Sequence, residues 1–180
     1  MKKAIVPAIR TERLSIRQLT ATDMSLYVSL FTDKKVMKFA GPTLEPKEAR
    51  DKFRKLVAME AQPERMFGVI IARDTRESIG LSSAYVTDAE QGRAQVGILL
   101  KSAAHTKRFG MEASIVLINR MFSMPNGMVK ELVGDIAVGN TATEELAKSL
   151  GYKRTGKLPA DEKYPARNIW TLTREVWWKV

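Results

Sequence analysis

The stretch with the clearest chemical potential lies at residues 96–113, which read VGILLKSAAHTKRFGMEA. An apolar run typical of a strand leads into a basic loop, and a helical pattern begins near Gly110. Backbone N–H groups at the start of a helix bind anions, because they lack partners inside the helix and carry partial positive charge. The loop adds four side chains that can contact an anion: Lys101, His105, Lys107 and Arg108. The pattern therefore fits a phosphate site, and an ordinary solvated loop fits it slightly better.

A second stretch, residues 138–152, places a polar side chain directly after a strand pattern. Asn140 stands at the junction, and Thr141 or Thr143 can cap the helix that follows. An amide side chain at such a junction either holds backbone groups or binds a ligand amide. The capping role is the more common of the two.

The counts of reactive residues exclude several kinds of chemistry. The 180 residues contain no Cys, which excludes disulfides, iron–sulfur clusters, thiolate metal sites and a cysteine nucleophile. A single His makes a His-rich metal centre impossible, and a Ser-His-Asp triad would have to use His105. The formal net charge of +10 indicates an anionic partner or a solvated basic surface. Nucleic acid, the ribosome, an acidic protein and a phosphorylated cofactor all stay open.

Strand and helix patterns alternate along the chain, without tandem repeats or long linkers. Strand patterns cover residues 13–19, 66–74, 78–86, 94–100, 131–138 and 168–178. Helical patterns run from Thr20 or Thr22 to Phe31, then over 43–62, 110–123 and 141–150, with Pro63 after the second and Gly151 after the last. This order predicts a mixed α/β sheet with helices on both faces. The last strand is expected to end in Trp177 and Trp178, with one ring in the core.

Length and composition predict a globular protein with one domain over residues 1–180. A chain of 180 residues with 44% hydrophobic residues can bury a core of its own. No stretch is long and apolar enough to span a bilayer, and the apolar patch near the N-terminus is too short for a signal peptide. The sequence therefore predicts a cytoplasmic protein without a membrane partner.

Three segments together resemble the GNAT superfamily of acyl-CoA-dependent N-acyltransferases. They are TERLSIRQLTATDMSLYVSLFTDKKVMKF (11–39), RAQVGILLKSAAHTKRFGMEA (93–113) and NTATEELAKSLGY (140–152). The first is similar to the opening of the branch that includes the ribosomal-protein N-terminal acetyltransferases. The resemblance implies a mixed, mostly antiparallel sheet of six to seven strands that splays between the fourth and fifth strands.

The resemblance also implies a donor and the residues that bind it. Acetyl-CoA, or another acyl-CoA, would be the donor, and no metal would take part. Its pantetheine would pair with the main chain near residues 98–100, and loop 105–110 would surround its pyrophosphate. The cofactor-binding residues implied are Ile98, Leu99, Leu100, His105, Lys107, Arg108, Phe109, Gly110, Met111, Asn140 and Thr143. The acceptor would be a primary amine on a protein N-terminus, an aminoglycoside, a polyamine or an amino sugar.

The sequence departs from the family pattern at three positions that matter for chemistry. Arg108 replaces a Gly of the phosphate loop, Gln95 replaces a Glu that serves many relatives as the base, and Ala147 replaces a Tyr acid. Asp135 is then the candidate base, and Tyr152 or Tyr164 the candidate acid, with proton relay by water as the alternative to a dedicated base. Glu112 is expected to support the helix start and its loop.

Three functional hypotheses follow, in decreasing order. The first is an N-acetyltransferase that acts as a monomer or homodimer. The second is a degenerate relative that binds CoA or a partner without turnover, as the three departures suggest. The third is a basic module that binds nucleic acid or the ribosome, which rests on the net charge alone.

Overall fold

The computed structural model describes residues 8–59, 62 and 64–179. Its strands are β1 (Ile9–Arg10), β2 (Leu14–Gln18), β3 (Arg65–Ala72), β4 (Ser78–Asp88), β5 (Arg93–Leu100), β6 (Glu131–Ala137), β7 (Lys153–Leu158) and β8 (Arg167–Thr173). Its α-helices are α1 (Met24–Phe31), α2 (Lys34–Met37), α3 (Pro46–Ala58), α4 (Phe109–Phe122), α5 (Thr141–Ser149) and α6 (Arg174–Trp177). Short 3-10 helices cover Ala21–Asp23, Ser102–Lys107 and Pro125–Gly127. None of the helices in these ranges has the length and apolar character needed to cross a bilayer.

The eight strands form one sheet in the order β1-β2-β3-β4-β5-β6-β8-β7. β4 and β5 pair antiparallel as far as Gly80 and Leu100. β5 and β6 pair in parallel, but only at Arg93–Glu131 and Ala94–Leu132. The two strands therefore separate after their first residues, and a splay opens between them.

Helices cover both faces of the sheet. On one face α4 packs Phe109, Ala113, Leu117 and Met121 against β2, β4 and β5, a spacing of four residues that keeps them on one side of the helix. On the other face Tyr27 of α1 and Phe53 of α3 pack against β3 and β4. Because side chains alternate along a strand, each strand of the splay presents one set of residues to each face.

The expected fold class and element order are confirmed, whereas the expected count of six to seven strands is wrong. The splay lies between the expected fourth and fifth strands, which are β5 and β6 because β1 was not expected. Two of the eight strands, β1 and β7, have no clear pattern. β7 reads KRTGKL and is largely exposed at the edge of the sheet, where charged side chains discourage pairing with other chains. A strand of this kind buries no face and so leaves no hydrophobic alternation in the sequence.

Two element boundaries also differ from expectation. The last strand ends at Thr173, because the Thr173 side chain accepts a hydrogen bond from the N–H of Val176 and starts α6. Trp177 therefore lies on a helix, where its indole N–H donates to Asn119 at 2.7 Å, and Trp178 is half exposed. The second long helix ends at Ala58. Its expected continuation through residues 60 and 61, the expected stop at Pro63 and the N-terminal seven residues lie outside the described residues.

Candidate active site

The splay leaves backbone and space open between β5 and β6. Residues 98–100 of β5 pair with β4 on one side, while the pairing with β6 has already ended at Ala94. Backbone groups that point toward β6 from this part of β5 have no partner strand, so an extended chain of suitable length can pair with them. On β6, a Cβ added to Gly134 would meet no atom within 4 Å.

The helix α4 begins beside the open end of the splay. Arg108 has φ 58 and ψ 17, a left-handed conformation that turns the chain from the 3-10 helix into α4. Gly110 faces α5, and a Cβ there would lie 3.8 Å from the Leu146 side chain. The first N–H groups of α4 have no partners within the helix, so they can bind an anion at this place.

Glu112 ties the start of α4 to β2. Its carboxylate accepts hydrogen bonds from Thr11, from the Arg13 backbone N–H at 2.9 Å and from Arg13 Nε at 2.7 Å. Arg13 also donates to the Lys107 carbonyl at 3.0 Å, which holds the loop before the helix. Burial alone would raise the pKa of Glu112, but these hydrogen bonds outweigh it and hold the pKa below its usual value. The contacts fit the supporting role expected for this residue.

The cations of the basic loop (residues 101–110) differ in how much of their charge is free. Lys101 pairs with Glu77 at 2.9 Å, and His105 Nε2 lies 3.0 Å from the Leu100 carbonyl. Lys107 and Arg108 are exposed, and neither forms an ion pair with a carboxylate of the described residues. Phe109 is buried in the core beneath Arg13, whose guanidinium lies 5.0 Å from the ring centre. Lys107 and Arg108 are therefore the side chains best placed to meet an incoming polyanion.

Asn140 caps α5. Its Oδ1 accepts a hydrogen bond from the Thr143 backbone N–H at 3.3 Å. This is the capping role that the sequence left open, and it fixes the side chain next to the end of β6. Met111 lies in the first turn of α4 and packs against the core from a partly buried position. A direct contact of Asn140, Thr143 or Met111 with a ligand stays a prediction.

A polar cluster, consisting of Tyr85, Gln95, Asp135, Asp161 and Arg167, crosses the splay on the face covered by α1 and α3. The Tyr85 hydroxyl donates to Gln95 Oε1 at 2.6 Å, and Gln95 Nε2 lies 3.4 Å from Asp135 Oδ1. Arg167 donates to Asp135 Oδ2 at 2.7 Å and to Asp161 Oδ2 at 3.0 Å. Burial, together with the charge of Asp135, raises the pKa of Tyr85. The candidate base thus stands in a hydrogen-bonded chain that reaches from β4 to β8.

The loop between β7 and β8 closes over one end of the polar cluster. Asp161 Oδ1 accepts hydrogen bonds from the backbone N–H groups of Lys163 and Tyr164, both at 2.8 Å, and these bonds lower the pKa of Asp161. The Tyr164 ring lies over Arg167, 4.7 Å from its guanidinium carbon. The same ring contacts Gly41, where a Cβ would lie 3.0 Å from it. Loops from two distant parts of the chain therefore meet beside Arg167.

Tyr152 lies on the other face of the sheet from Asp135. It packs against the cluster of Ile136, Ala147 and Trp170, and Ile136 directly follows Asp135 on β6, so its side chain points to the opposite face. Its backbone N–H donates to the Ala147 carbonyl at 3.0 Å. Burial raises the pKa of Tyr152 far above its usual value. The two candidate catalytic residues therefore flank the splay from opposite faces.

Sequence reasoning found Asp135 but missed Tyr85, Asp161 and Arg167. These residues come from β4, from the loop before β8 and from β8 itself. Only the sheet register brings them together, since Tyr85 pairs with Gln95 and Asp135 with Ile169. No short motif carries that register.

Comparisons with known proteins agree with this geometry. A family model described as acetyltransferase (GNAT) domain matches residues 13–153. The chain is 29% identical over 163 residues to a protein of Bacillus licheniformis named uncharacterized N-acetyltransferase p20, and the match covers 88% of this chain and 89% of that protein.

Solved structures of acetyltransferases have the same fold. Ribosomal-protein-S5-alanine acetyltransferase from Vibrio fischeri matches with a TM-score of 0.77 at 16% identity, over 96% of this chain and 99% of that one. Spermidine N-acetyltransferase from Vibrio cholerae, in complex with CoA and spermine, matches with a TM-score of 0.77 at 16% identity, over 93% of this chain and 99% of that one. At this identity the likeness shows the fold alone.

Proposed function

The chain belongs to the GNAT family of N-acetyltransferases, and we propose that it transfers an acetyl group from acetyl-CoA to a primary amine. The observation that carries this proposal is the splay. Parallel pairing stops after two residue pairs, and α4 begins beyond the open end of β5, which the splay leaves unpaired with β6. An open strand edge next to a helix N-terminus suits a ligand with an extended, amide-bearing arm and a phosphate group.

The residues around the splay have the chemistry that acetyl-CoA requires. The N–H groups of the first α4 turn, together with Lys107 and Arg108, offer positive charge to the phosphates. The main chain of residues 98–100 offers a strand edge to the pantetheine amides, and Gly134 leaves room beside it. His105 already contacts the Leu100 carbonyl, so we propose that it orders the loop and meets phosphate only through its remaining ring nitrogen.

The reaction would be a direct transfer without an acyl-enzyme. The amine nitrogen forms a bond to the carbonyl carbon of the donor, the bond from that carbon to sulfur breaks, and the sulfur leaves as a thiolate. We propose that Asp135 takes the proton from the amine on the face that carries the polar cluster. Tyr152, beside Ala147 on the other face, stays protonated because of its raised pKa and would donate a hydrogen bond toward the thiolate. Holding both reactants in the splay supplies the rest of the rate increase.

The supporting arrangement has three further parts. We propose that residues 1–180 act as one acyltransferase domain, because a single sheet runs from Ile9 to Thr173. The cytoplasm is the proposed location, and a monomer or a homodimer is the proposed state. The acceptor is a protein N-terminus or a small amine such as an aminoglycoside, a polyamine or an amino sugar.

The experiment uses the purified protein, calorimetry with CoA and a thiol assay with acetyl-CoA and a panel of primary amines. We expect CoA to bind and thiol to appear with at least one amine. The variant Gly134→Leu fills the open space on β6 and should weaken CoA binding by about tenfold, since a bulky side chain there displaces the ligand. Val133→Leu, which enlarges the neighbouring residue on the other face of β6, is the control.

The results separate the competing functions. Absence of CoA binding would overturn the proposal. CoA binding without thiol release across the panel would instead favour a protein that binds CoA without turnover, which Gln95, Ala147 and Arg108 make the second candidate.

A further inference from the structure

Arg167 is shared between two carboxylates of the polar cluster. Its Nη1 lies 2.7 Å from Asp135 Oδ2 and its Nη2 lies 3.0 Å from Asp161 Oδ2. The Arg167 side chain is only 18% exposed, whereas Asp135 is 31% and Asp161 is 51% exposed. The guanidinium is therefore enclosed, while both carboxylates keep a face toward solvent.

The charges of this group leave room for one cation. Two carboxylates and one guanidinium carry a single net negative charge. Farther along the same face, Glu131 is neutralised by Arg93. On the loop before β8, the exposed Glu162 and Lys163 oppose each other in sign. The cluster thus balances one ammonium group, and a second ammonium nearby would meet the Arg167 charge without a compensating carboxylate.

We propose that Arg167 is a specificity-determining residue that restricts the acceptor to an amine with one positive charge near the reacting nitrogen. The proposal rests on the proposed function of the splay and selects among its acceptors. It favours a monocationic amine, such as the α-amine of a peptide with a neutral first side chain, and it disfavours polyamines and aminoglycosides. Arg167 acts here through Asp135 and Asp161, by neutralising part of their charge and fixing their orientation.

The position of Arg167 supports this role over a purely structural one. Arg167 is the first residue of β8, and its guanidinium lies on the side of the sheet where the splay opens. The Tyr164 ring, from the loop before β8, packs over the guanidinium. A purely structural arginine would be needed to place both of its carboxylate partners. The second partner, Asp161, comes from an exposed loop and is already fixed by its own backbone contacts.

The test compares binding of two probes to the wild-type protein and to Arg167→Gln. Spermidine carries several positive charges, and alaninamide carries one. Removal of the guanidinium leaves two uncompensated carboxylates, so Arg167→Gln should bind spermidine about tenfold more tightly than wild type does, with a clearly smaller gain for the singly charged alaninamide. Calorimetry is performed with and without CoA, so the result does not depend on donor binding or on turnover.

Two further variants keep the test sharp. Arg167→Lys retains the charge and should keep the wild-type preference, whereas a merely structural role would make it resemble Arg167→Gln. Arg93→Gln removes an arginine–carboxylate pair at the closed start of the splay and should leave the spermidine-to-alaninamide ratio unchanged. Thermal melting identifies any variant that does not fold.

The outcomes are distinct from those that test the proposed function. Spermidine binding that is equal in wild type and Arg167→Gln would overturn the role of Arg167, even if CoA binds and acetyl transfer occurs. Wild-type protein that binds spermidine as tightly as alaninamide would overturn it as well. Absence of CoA binding would remove the proposed function and leave the comparison of the two probes intact.

Discussion

Two arginine–carboxylate contacts stand on the two sides of the splay, and they differ in how completely their charges are satisfied. On the side of α4, the single carboxylate of Glu112 accepts hydrogen bonds from Thr11 and from two groups of Arg13. On the opposite side, the single guanidinium of Arg167 is shared by Asp135 and Asp161. The first contact is complete within the protein and fixes a helix, whereas the second retains negative charge with which it can bind a cation.

The two sides also differ in which groups stabilise the charged carboxylates of Glu112 and Asp161. The pKa of Glu112 is held down, against the effect of burial, by residues about a hundred positions earlier in the chain. The pKa of Asp161 is lowered chiefly by the backbone N–H groups of Lys163 and Tyr164 in its own loop. The Glu112 contact therefore depends on the whole fold, and the Asp161 contact depends on a local turn.

The largest effect is expected on the side of the polar cluster, where the proposed base lies. Asp135→Asn removes the proposed base but keeps the size of the side chain, so kcat/KM should fall at least about a hundredfold. Because the Asp135 side chain is partly exposed, the melting temperature should change little. Steady-state thiol release with the best amine of the panel measures the first effect, and thermal melting measures the second.

Glu131→Gln is the matched control for that experiment. Glu131 lies on the same strand and the same face, four residues earlier, and pairs with Arg93 where the splay is still closed. A similar loss of activity in both variants, or a loss below threefold in Asp135→Asn, would assign the role of Asp135 to general electrostatics of the face.

The next largest effect is expected on the free energy of unfolding, when the Glu112 carboxylate is replaced. Glu112→Gln removes the charge that orders Thr11 and Arg13, and it should lower the free energy of unfolding at pH 7 by about 2 kcal/mol. A carboxyl whose pKa is lower in the folded state than in the unfolded state stabilises the protein above the unfolded pKa, and this contribution is lost as the pH falls through the folded value. The difference between wild type and variant should therefore shrink below about pH 4.

Urea denaturation at pH 7 and at pH 3.5 or lower, with about the same salt, checks this expectation. Asp161→Asn is the comparison from the other side of the splay. Because Asp161 is exposed and fixed by a local turn, its replacement should change stability far less. An equal loss of stability in both variants would remove the contrast between the two contacts.

The side of α4 was also the more predictable side. A strand, a basic loop and the start of a helix follow one another within residues 96–113, so the sequence pattern alone predicts their proximity. The expected strand and helix appear there as β5 and α4, and the expected loop contains a 3-10 helix. Asn140 was foreseen as a cap for the same reason, since a cap and its helix are neighbours in sequence.

The polar cluster could not be foreseen in the same way. Arg167 follows the weakly patterned strand β7 and its exposed loop, and its partner Asp135 lies 32 residues earlier. The contact between them exists because β8 returns to pair with β6, a connection that depends on the whole sheet. Sequence reasoning therefore identified Asp135 as a candidate base but had no signal for the residue that neutralises it.

The smallest effect is expected at Arg108, which lies on the side of α4 and stands where the family pattern has a Gly. Its left-handed backbone (φ 58) strains any residue that has a Cβ, and glycine relieves this strain at some cost in chain entropy. Arg108→Gly should therefore raise the free energy of unfolding by up to about 1 kcal/mol. If the exposed Arg108 side chain contacts the CoA phosphates, as proposed, the same variant should bind CoA about fivefold more weakly and with a smaller dependence on salt.

Arg76 offers a matched control for this last prediction. It has nearly the same backbone conformation (φ 59) and is also exposed, but it lies in the turn between β3 and β4. Arg76→Gly should give the same gain in stability and leave CoA binding unchanged, because the backbone effect is common to both sites and the phosphate contact is not. Calorimetry at two salt concentrations separates the two contributions. Tighter CoA binding by Arg108→Gly would mean that the arginine obstructs the phosphate loop, and both sides of the splay would then carry an arginine that limits what binds.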